Sequence, residues 1–325
     1  MRGSCSSEER LHPSIPDTPA STDLSIIILS WNTADLLVAC LASLRENPYH
    51  GDHEIIVVDN GSSDGSADIA SEAFPGIRLL RNSENLGYSA GNNIGLRAAR
   101  GRFLLLLNSD IEVRPGALDR LVEFLESHPE AGAVGARHLN PDGSLQPSCV
   151  RFPTLTTALV FDTFLALLPP GKRHLDQYFM RSFDHETLRE VDQIPGSCLL
   201  MPREVVQRIG LLNEEFWLYF NDVDLCKRIL DAGYTVTFLP DAEVMHHNHA
   251  STSRFDFFVV QWHLNRVAYY RKYFGARGVL VTKLVGLYVA LRQLWKFTVL
   301  RHAPRGTYLA NVRFIFRGLA QVMKS

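Results

Sequence analysis

The stretch GRFLLLLNSDIEV, residues 101–113, sets four consecutive leucines, Leu104 to Leu107, directly before Asn108, Ser109 and Asp110. An uninterrupted apolar run of this length, with no alternation of polar residues, predicts a β-strand covered on both faces. Three similar runs precede it: SIIIL (25–29), EIIVV (54–58) and IRLL (77–80). Between and after them lie helical patterns at about 34–46, 64–74, 89–100 and 115–128. Leu37, Cys40, Leu41 and Leu44 form one apolar stripe; Leu118, Leu121, Val122 and Leu125 form another behind Pro115, a residue suited to a first helical turn. Strand–helix alternation with continuous apolar strands predicts an α/β protein: a Rossmann-like, mostly parallel sheet with helices on both faces.

Each strand runs into a polar segment at its carboxyl end: SWNT (30–33), DNGSSDGS (59–66), RNSENLGYSAGNN (81–93) and NSD (108–110). Ligands of open α/β sheets bind at that edge. Asn, Gly, Ser and Asp are also ordinary turn formers; four such segments at one edge, longer than turns require, point to a nucleotide-sized site. Farther on, residues 151–190 read as an irregular insertion. Residues 195–201 read as a strand, 220–232 as a helix ended by Gly233, 234–239 as a strand, and the chain after Ser253 as helical.

The net charge of −2 conceals an asymmetry. From Arg254 to the end there are 13 Lys and Arg against one acid, Asp256, whereas residues 1–253 hold 20 basic and 34 acidic residues. A basic tail on an acidic body suggests that the tail meets an anionic surface. The five cysteines (5, 40, 149, 198, 226) show no metal-binding spacing; Cys40, Cys198 and Cys226 fall in apolar patterns, which fits core residues in a reducing compartment. Residues 1–23 are rich in Ser, Pro and charge without an apolar core, and read as a disordered leader.

The first strand ends without GxGxxG, and no GxxxxGK[ST] occurs, which disfavours dinucleotide oxidoreductases and P-loop enzymes. Asp59 ends the second strand, where a carboxylate can take hydrogen bonds from a base imide or a ribose hydroxyl; Asp64 or Ser63 can cap the next helix. Asp110 opens from a buried strand into the same edge, and stands equally as a turn residue or as a ligand of a divalent cation bound to diphosphate. In NDVDLCKRILDAGY (221–234), Asp222 begins a helix above the apolar positions Leu225, Cys226 and Ile229. The positive helix end keeps such a carboxylate ionised and able to act as a base. Asp224 is better read as a helix-start residue or as an ion-pair partner of Arg228. HHNH (246–249) offers one further metal ligand among its three histidines.

Taken in order, SIIILSWNTADLL, EIIVVDNGSSDGS, NLGYSAGNNIGL, LLLLNSD, GSCLLMPREVVQRIGLLNEEF, YFNDVDLCKRILDAGY and EVMHH resemble the family 2 glycosyltransferases, in their rhamnosyltransferase-like branch, over residues 24–253. The resemblance implies a GT-A fold, a nucleotide-diphosphate sugar donor, a divalent metal (Mg²⁺ or Mn²⁺) and an inverting displacement. It gives the base and ribose role to Asp59, the metal–diphosphate role to Asp110 and the catalytic base role to Asp222, with His246 (or else His247) as a further metal ligand. The donor pocket would be lined by Ser30, Trp31, Asn32, Asp59, Asn60, Asn85, Gly87, Gly91, Asn92, Asn108 and Asp110, the acceptor side by Gly196, Ser197 and Asn221. Three positions depart from the family pattern: Asn108 replaces the first acid of Asp-x-Asp, Asn221 a Glu before the base, and Asn213 the Asp of an Asp-Glu pair that leaves Glu214.

The implied organisation is a leader (1–23), a nucleotide-sugar half (24–130), an acceptor half (131–253) and a basic, aromatic helical extension (254–325). The expected function is transfer of rhamnose or a similar hexose to a glycan or polyprenyl-linked saccharide, in cell-surface polysaccharide synthesis at the cytoplasmic face of a membrane. A non-catalytic nucleotide- or glycan-binding relative is the main alternative and a nucleotidyltransferase the third. Residues 279–300 approach a membrane span, but Lys283, Arg292 and Lys296 interrupt it and do not share one helical face. Basic residues interleaved with Trp262, Tyr269, Tyr270, Tyr273, Trp295 and Phe297 suit an anionic membrane surface better than nucleic acid.

Overall fold

The computed structural model describes residues 15, 20–247, 255–300, 317, 318 and 320–324, with side chains of 255–259 and 296–300 left aside. The expected leader, Cys5 and His249 therefore lie almost wholly outside the described residues; of the leader, Ile15 is buried in the core. The strands are β1 (Thr22–Ser30), β2 (His53–Asp59), β3 (Arg78–Arg81), β4 (Gly101–Asn108), β5 (Ile111–Val113), β6 (Ala131–Leu139), β7 (Arg189–Glu190), β8 (Cys198–Pro202) and β9 (Thr235–His246). They form one sheet in the order β3-β2-β1-β4-β8-β6-β9-β5, with β7 paired to β9. Pairing is parallel from β3 to β4, as the continuous apolar runs predict. Beyond β4 it is mixed: β8 runs antiparallel to both β4 and β6, and β9 is parallel to β6 but antiparallel to β5. The later strands lack the alternation with long helices that enforces parallel crossovers.

The leucine run is continuous because alternate residues enter different cores. Ile26, Ile28, Leu105 and Leu107 meet α1 (Ala34–Glu46), α2 (Ser66–Ala73) and α4 (Ala117–Ser127) on one face. Ile27, Leu104 and Leu106 meet α3 (Tyr88–Ala98), α7 (Arg203–Ile209) and α8 (Asn221–Asp231) on the other. Cys40, Cys149, Cys198 and Cys226 are buried free thiols.

Residues 151–190 form α5 (Leu155–Val160), a 3-10 turn (Phe164–Leu167) and α6 (Pro169–Tyr178). They pack beside α9 (Phe255–Leu300), which bends at Gly275 (φ 59°, ψ −145°). This packing corrects one expectation: Tyr269 and Tyr270 are buried, and Trp262 and Tyr273 pack with them against Phe216, Phe220 and Ala158. Four of the aromatics expected at a membrane thus join α9 to the sheet domain, Trp295 remains exposed, and the side chain of Phe297 lies outside the described ones.

Candidate active site

Strand register brings the polar segments to one edge. Ser30 pairs with Asp59, Leu29 with Asn108, and Asp59 with Arg81, so the four carboxyl-terminal loops leave the sheet at the same level. They are sewn together by side chains. Ser30 Oγ meets Thr33 Oγ1 at 3.0 Å, which meets Ser109 Oγ at 2.9 Å. Asn32, in the left-handed region (φ 53°), takes the Ser63 amide proton on Oδ1 at 2.8 Å. Asp64 accepts the amides of Ala34 and Ser66, both at 3.0 Å, at the starts of α1 and α2; these bonds overcome the upward push of burial and hold its carboxyl below its ordinary range.

Asp59 is buried and accepts one hydrogen bond, from Ser62 N at 3.3 Å, of the roughly four a carboxylate can take. It therefore retains acceptor capacity for a ligand. Asn60 is different. Its amide donates to Asn85 Oδ1 (2.9 Å) and Gly87 O (3.2 Å), and its Oδ1 accepts from Asn82 (3.0 Å) and Leu86 N (3.1 Å). With all four of its positions used, Asn60 shapes the 82–87 loop, and Asn85 Oδ1 also accepts Gly87 N at 2.9 Å. Gly87 (φ 85°) allows that loop to pass Trp217, whose carbonyl oxygen would lie 2.5 Å from an added Cβ. Gly91 packs on Leu29, and Asn92 donates to Tyr88 O within its own helix. Three further expected pocket residues, Gly87, Gly91 and Asn92, thus sit against Trp217, Leu29 and Tyr88.

Asp110 and His246 stand opposite each other, with Oδ1 and Nε2 3.5 Å apart, because Ile111 and His246 pair across β5 and β9. Gln146 determines which imidazole nitrogen is free. Its amide nitrogen donates to Asn140 Oδ1 (2.9 Å) and His246 O (3.3 Å), which turns Oε1 toward His246 Nδ1 at 2.6 Å. Nδ1 is then the donor to Gln146 and Nε2 is the nitrogen that faces Asp110, the arrangement of a ligating histidine. His247 instead bonds Glu112 at 2.6 Å, away from Asp110. Among the described residues no cluster of three or more His, Cys, Asp or Glu forms, so Asp110 and His246 are a two-donor set. One hard oxygen and one imidazole fit a divalent cation whose other ligands come from diphosphate and water.

A cavity of about 340 Å³ adjoins this pair, lined by Asn108, Gly196, Ser197, Asn221, Asp222 and His246, with Tyr88, Tyr178, Tyr219, Phe220 and Trp262 among its walls. Asp222 accepts Val223 N at 2.9 Å and a backbone hydrogen bond from Gly196, yet burial dominates and raises its pKa above the ordinary 3.8. Burial, then the Asp222 and Asp110 carboxylates, push the Tyr88 hydroxyl up as well; Tyr88 donates to Gly196 O at 2.7 Å. His138 Nδ1 must donate to Ala136 O (3.0 Å), and burial lowers its pKa to about 3. The neutral ring therefore accepts the Ser197 hydroxyl proton on Nε2 (2.9 Å), leaving Ser197 lone pairs for the cavity.

Tyr219 and Phe220 both adopt left-handed backbone (φ 64° and 61°) immediately before α8, a costly conformation for aromatic residues that aims Asp222 inward. Asp224 points the other way, as expected. It is fully buried against Arg228 Nε (2.9 Å), Tyr273 Oη (2.7 Å) and Lys272 Nζ, so its ion pairing reaches from α8 into α9. Glu214 likewise holds α3, accepting from Asn93 at 2.9 Å and Arg97 at 3.2 Å. Gln146, His138 and Trp262 enter the site without any motif marking them in the sequence; Tyr88 lay within a quoted segment, but its hydroxyl's destination depends on the fold.

The sheet with its ligand-binding edge, metal-competent pair and partly buried base candidate is that of a nucleotide-sugar-type glycosyltransferase fold. The model of Glycosyl transferase family 2 matches residues 25–210, and the chain belongs to that family. It is an enzyme of the glycosyltransferase class, similar to rhamnosyltransferases. One relative, the N-acetylglucosaminyl-diphospho-decaprenol L-rhamnosyltransferase of Mycobacterium tuberculosis, is 31% identical over 245 residues, covering 71% of this chain and 78% of its own. The low-salt glycan biosynthesis hexosyltransferase Agl10 of Haloferax volcanii is 27% identical over 72% of this chain and 70% of its own. Among solved structures, the mannosyltransferase PcManGT of Pyrobaculum calidifontis, in complex with GDP-Man and Mn²⁺, shares the fold at a TM-score of 0.53 and 16% identity, covering 94% of this chain and 89% of that one.

Proposed function

We propose that the protein transfers a hexose, rhamnose or a close relative, from a nucleoside-diphosphate sugar to a polyprenyl-diphosphate-linked saccharide, with inversion at the anomeric carbon. The observation that carries this reading is the cavity lined together by Asp222, Ser197 and His246, with Asp110 3.5 Å from His246. Asp59 holds the nucleoside, with Ser30, Trp31 and Asn32 beside it on the same edge. Asp110 and His246 would hold a divalent cation, which would supply positive charge against the departing diphosphate. Asp222 accepts the proton of the acceptor hydroxyl as its oxygen bonds to the anomeric carbon and the carbon–oxygen bond to the nucleoside diphosphate breaks. Ser197 and the Gly196 backbone orient that hydroxyl. The raised affinity of Asp222 for protons makes it a stronger base than an exposed aspartate. The lipid-linked acceptor follows the named substrate of the mycobacterial relative, and with the basic extension it supports a reaction at the cytoplasmic membrane face.

The test is a panel of nucleotide sugars with and without Mg²⁺ or Mn²⁺, with an N-acetylglucosaminyl diphosphate carrying a short alkyl chain as acceptor. Metal-dependent release of nucleoside diphosphate by the wild-type chain is expected. Asp110→Asn should reduce it by about 10²-fold or more, on the scale of losing one charge-stabilising group. Turnover that ignores both metal and Asp110→Asn would refute the assignment.

A further inference from the structure

The outer part of α9 reverses the usual arrangement of a surface helix. Thr282, Val285 and Ala290, with Gly278 and Gly286, are buried against the protein. Leu280, Leu284, Leu287, Leu291 and Trp295 face outward, and four of the five are 56–62% exposed. Their spacing of four, three, four and four residues keeps them on one narrow stripe. A soluble helix would turn this stripe inward and its small residues outward.

A second element adds to the same surface. In the 3-10 turn, Phe164 and Leu167 are 55% and 84% exposed, and Leu168 follows them. The Phe164 ring lies 6.3 Å from that of Tyr288, which helical spacing places at the stripe's edge. Segments more than a hundred residues apart thus expose large apolar side chains side by side, beyond what an isolated exposed leucine signifies. Basic residues border the patch: Arg277 flanks the stripe, the exposed Lys172 and Arg173 come just after Leu168, and Lys283, on the stripe's other side, donates to Met323 O at 2.8 Å.

We infer that this patch docks in the plane of an anionic lipid bilayer, with the leucine stripe and the Phe164–Leu168 turn among the acyl chains and the basic residues at the headgroups. The helix is long and apolar enough to span a membrane. It lies along the surface instead, because Lys283 and Arg292 occupy its middle and its opposite face is already packed on the protein. Gly275 is the break that lets the inner part of α9 follow the protein core while the outer part follows the bilayer. This inference is independent of the sugar donor and metal assignments.

The experiment is flotation of the full chain with vesicles of phosphatidylcholine containing anionic phosphatidylglycerol, to which basic segments are drawn, and with pure phosphatidylcholine. The wild type should float with the anionic vesicles and much less with the neutral ones. Leu284→Glu/Leu291→Glu should lower the bound fraction at least about tenfold, as should Phe164→Glu/Leu167→Glu, since each removes two apolar anchors. These positions are exposed, so thermal melts matching the wild type are expected and separate lost docking from lost folding. Carbonate at high pH should release the bound chain. Unchanged flotation of both variants, absence of flotation, resistance to carbonate, or a leucine stripe consumed in a stable dimer would each overturn the inference.

Discussion

Asp222 is a carboxylate at a helix start, where the helix dipole would lower its pKa, yet burial prevails and raises it. The sign has two consequences. Below the ordinary value of 3.8, Asp222 is protonated in folded and unfolded chains alike, and its folded-state preference for the proton contributes fully. As pH rises through its raised folded value, that contribution is lost, because folding must then keep a charge in a buried place. Asp222→Asn should therefore melt at a higher urea concentration than the wild type at pH 7.5, with the gain fading by pH 4. The same variant should lose about 10²–10⁴-fold in kcat, the range for a general base, while binding nucleotide sugar normally. Transfer within tenfold of wild type would remove Asp222 from the role. The site's other residues were unequally legible. Asp59, Asp110 and Asp222 stand where their sequence positions predict, at strand and helix ends. Asn60 looked like a ligand contact and is instead saturated by Asn82, Asn85, Leu86 and Gly87, a distinction carried by side-chain partners and not by residue type.

The helix that carries the base is clamped from outside the sheet. Asp224 of α8 takes bonds from Arg228, Lys272 and Tyr273, and Arg228 also binds the carbonyls of Ile209 (2.8 Å) and Leu211 (3.0 Å). Removing one member strands the other charges in a buried setting, a loss of about 3–5 kcal/mol. Asp224→Ala should reduce unfolding free energy by that order in urea titrations and lower kcat by loosening α8; a change below 1 kcal/mol would mean the pair behaves as a surface one. The i to i+4 spacing made the Arg228 partnership readable in sequence. Lys272 and Tyr273 lie nearly fifty residues away, and only the folding of α9 across α8 brings them in. The same packing explains why Trp262, Tyr269, Tyr270 and Tyr273 resembled a membrane-facing set: aromatic richness identifies a surface that must be covered, without naming the cover.

At the scale of the whole molecule, several histidines are held neutral. Burial lowers His138 to about 3 and His263 to about 4, and lowers His185 from the same ordinary value of 6.5. A depressed histidine contributes its stability above pH 6.5, and that contribution is lost as pH falls toward the folded value, since the unfolded chain takes up protons first. The urea midpoint should therefore decline from pH 6.5 to pH 5, and His138→Gln should flatten the decline; a midpoint constant over that window would contradict it. The sequence by itself determined the parallel half of the sheet, its helices on both faces and the edge where the site lies, because continuous apolar strands and polar strand ends follow from local burial. Tertiary structure decided the mixed order of the later strands, the lock of Gln146 on His246, the course of α9 and the outward leucine stripe. Each of these depends on contacts between residues far apart in the chain, for which composition and periodicity carry no record.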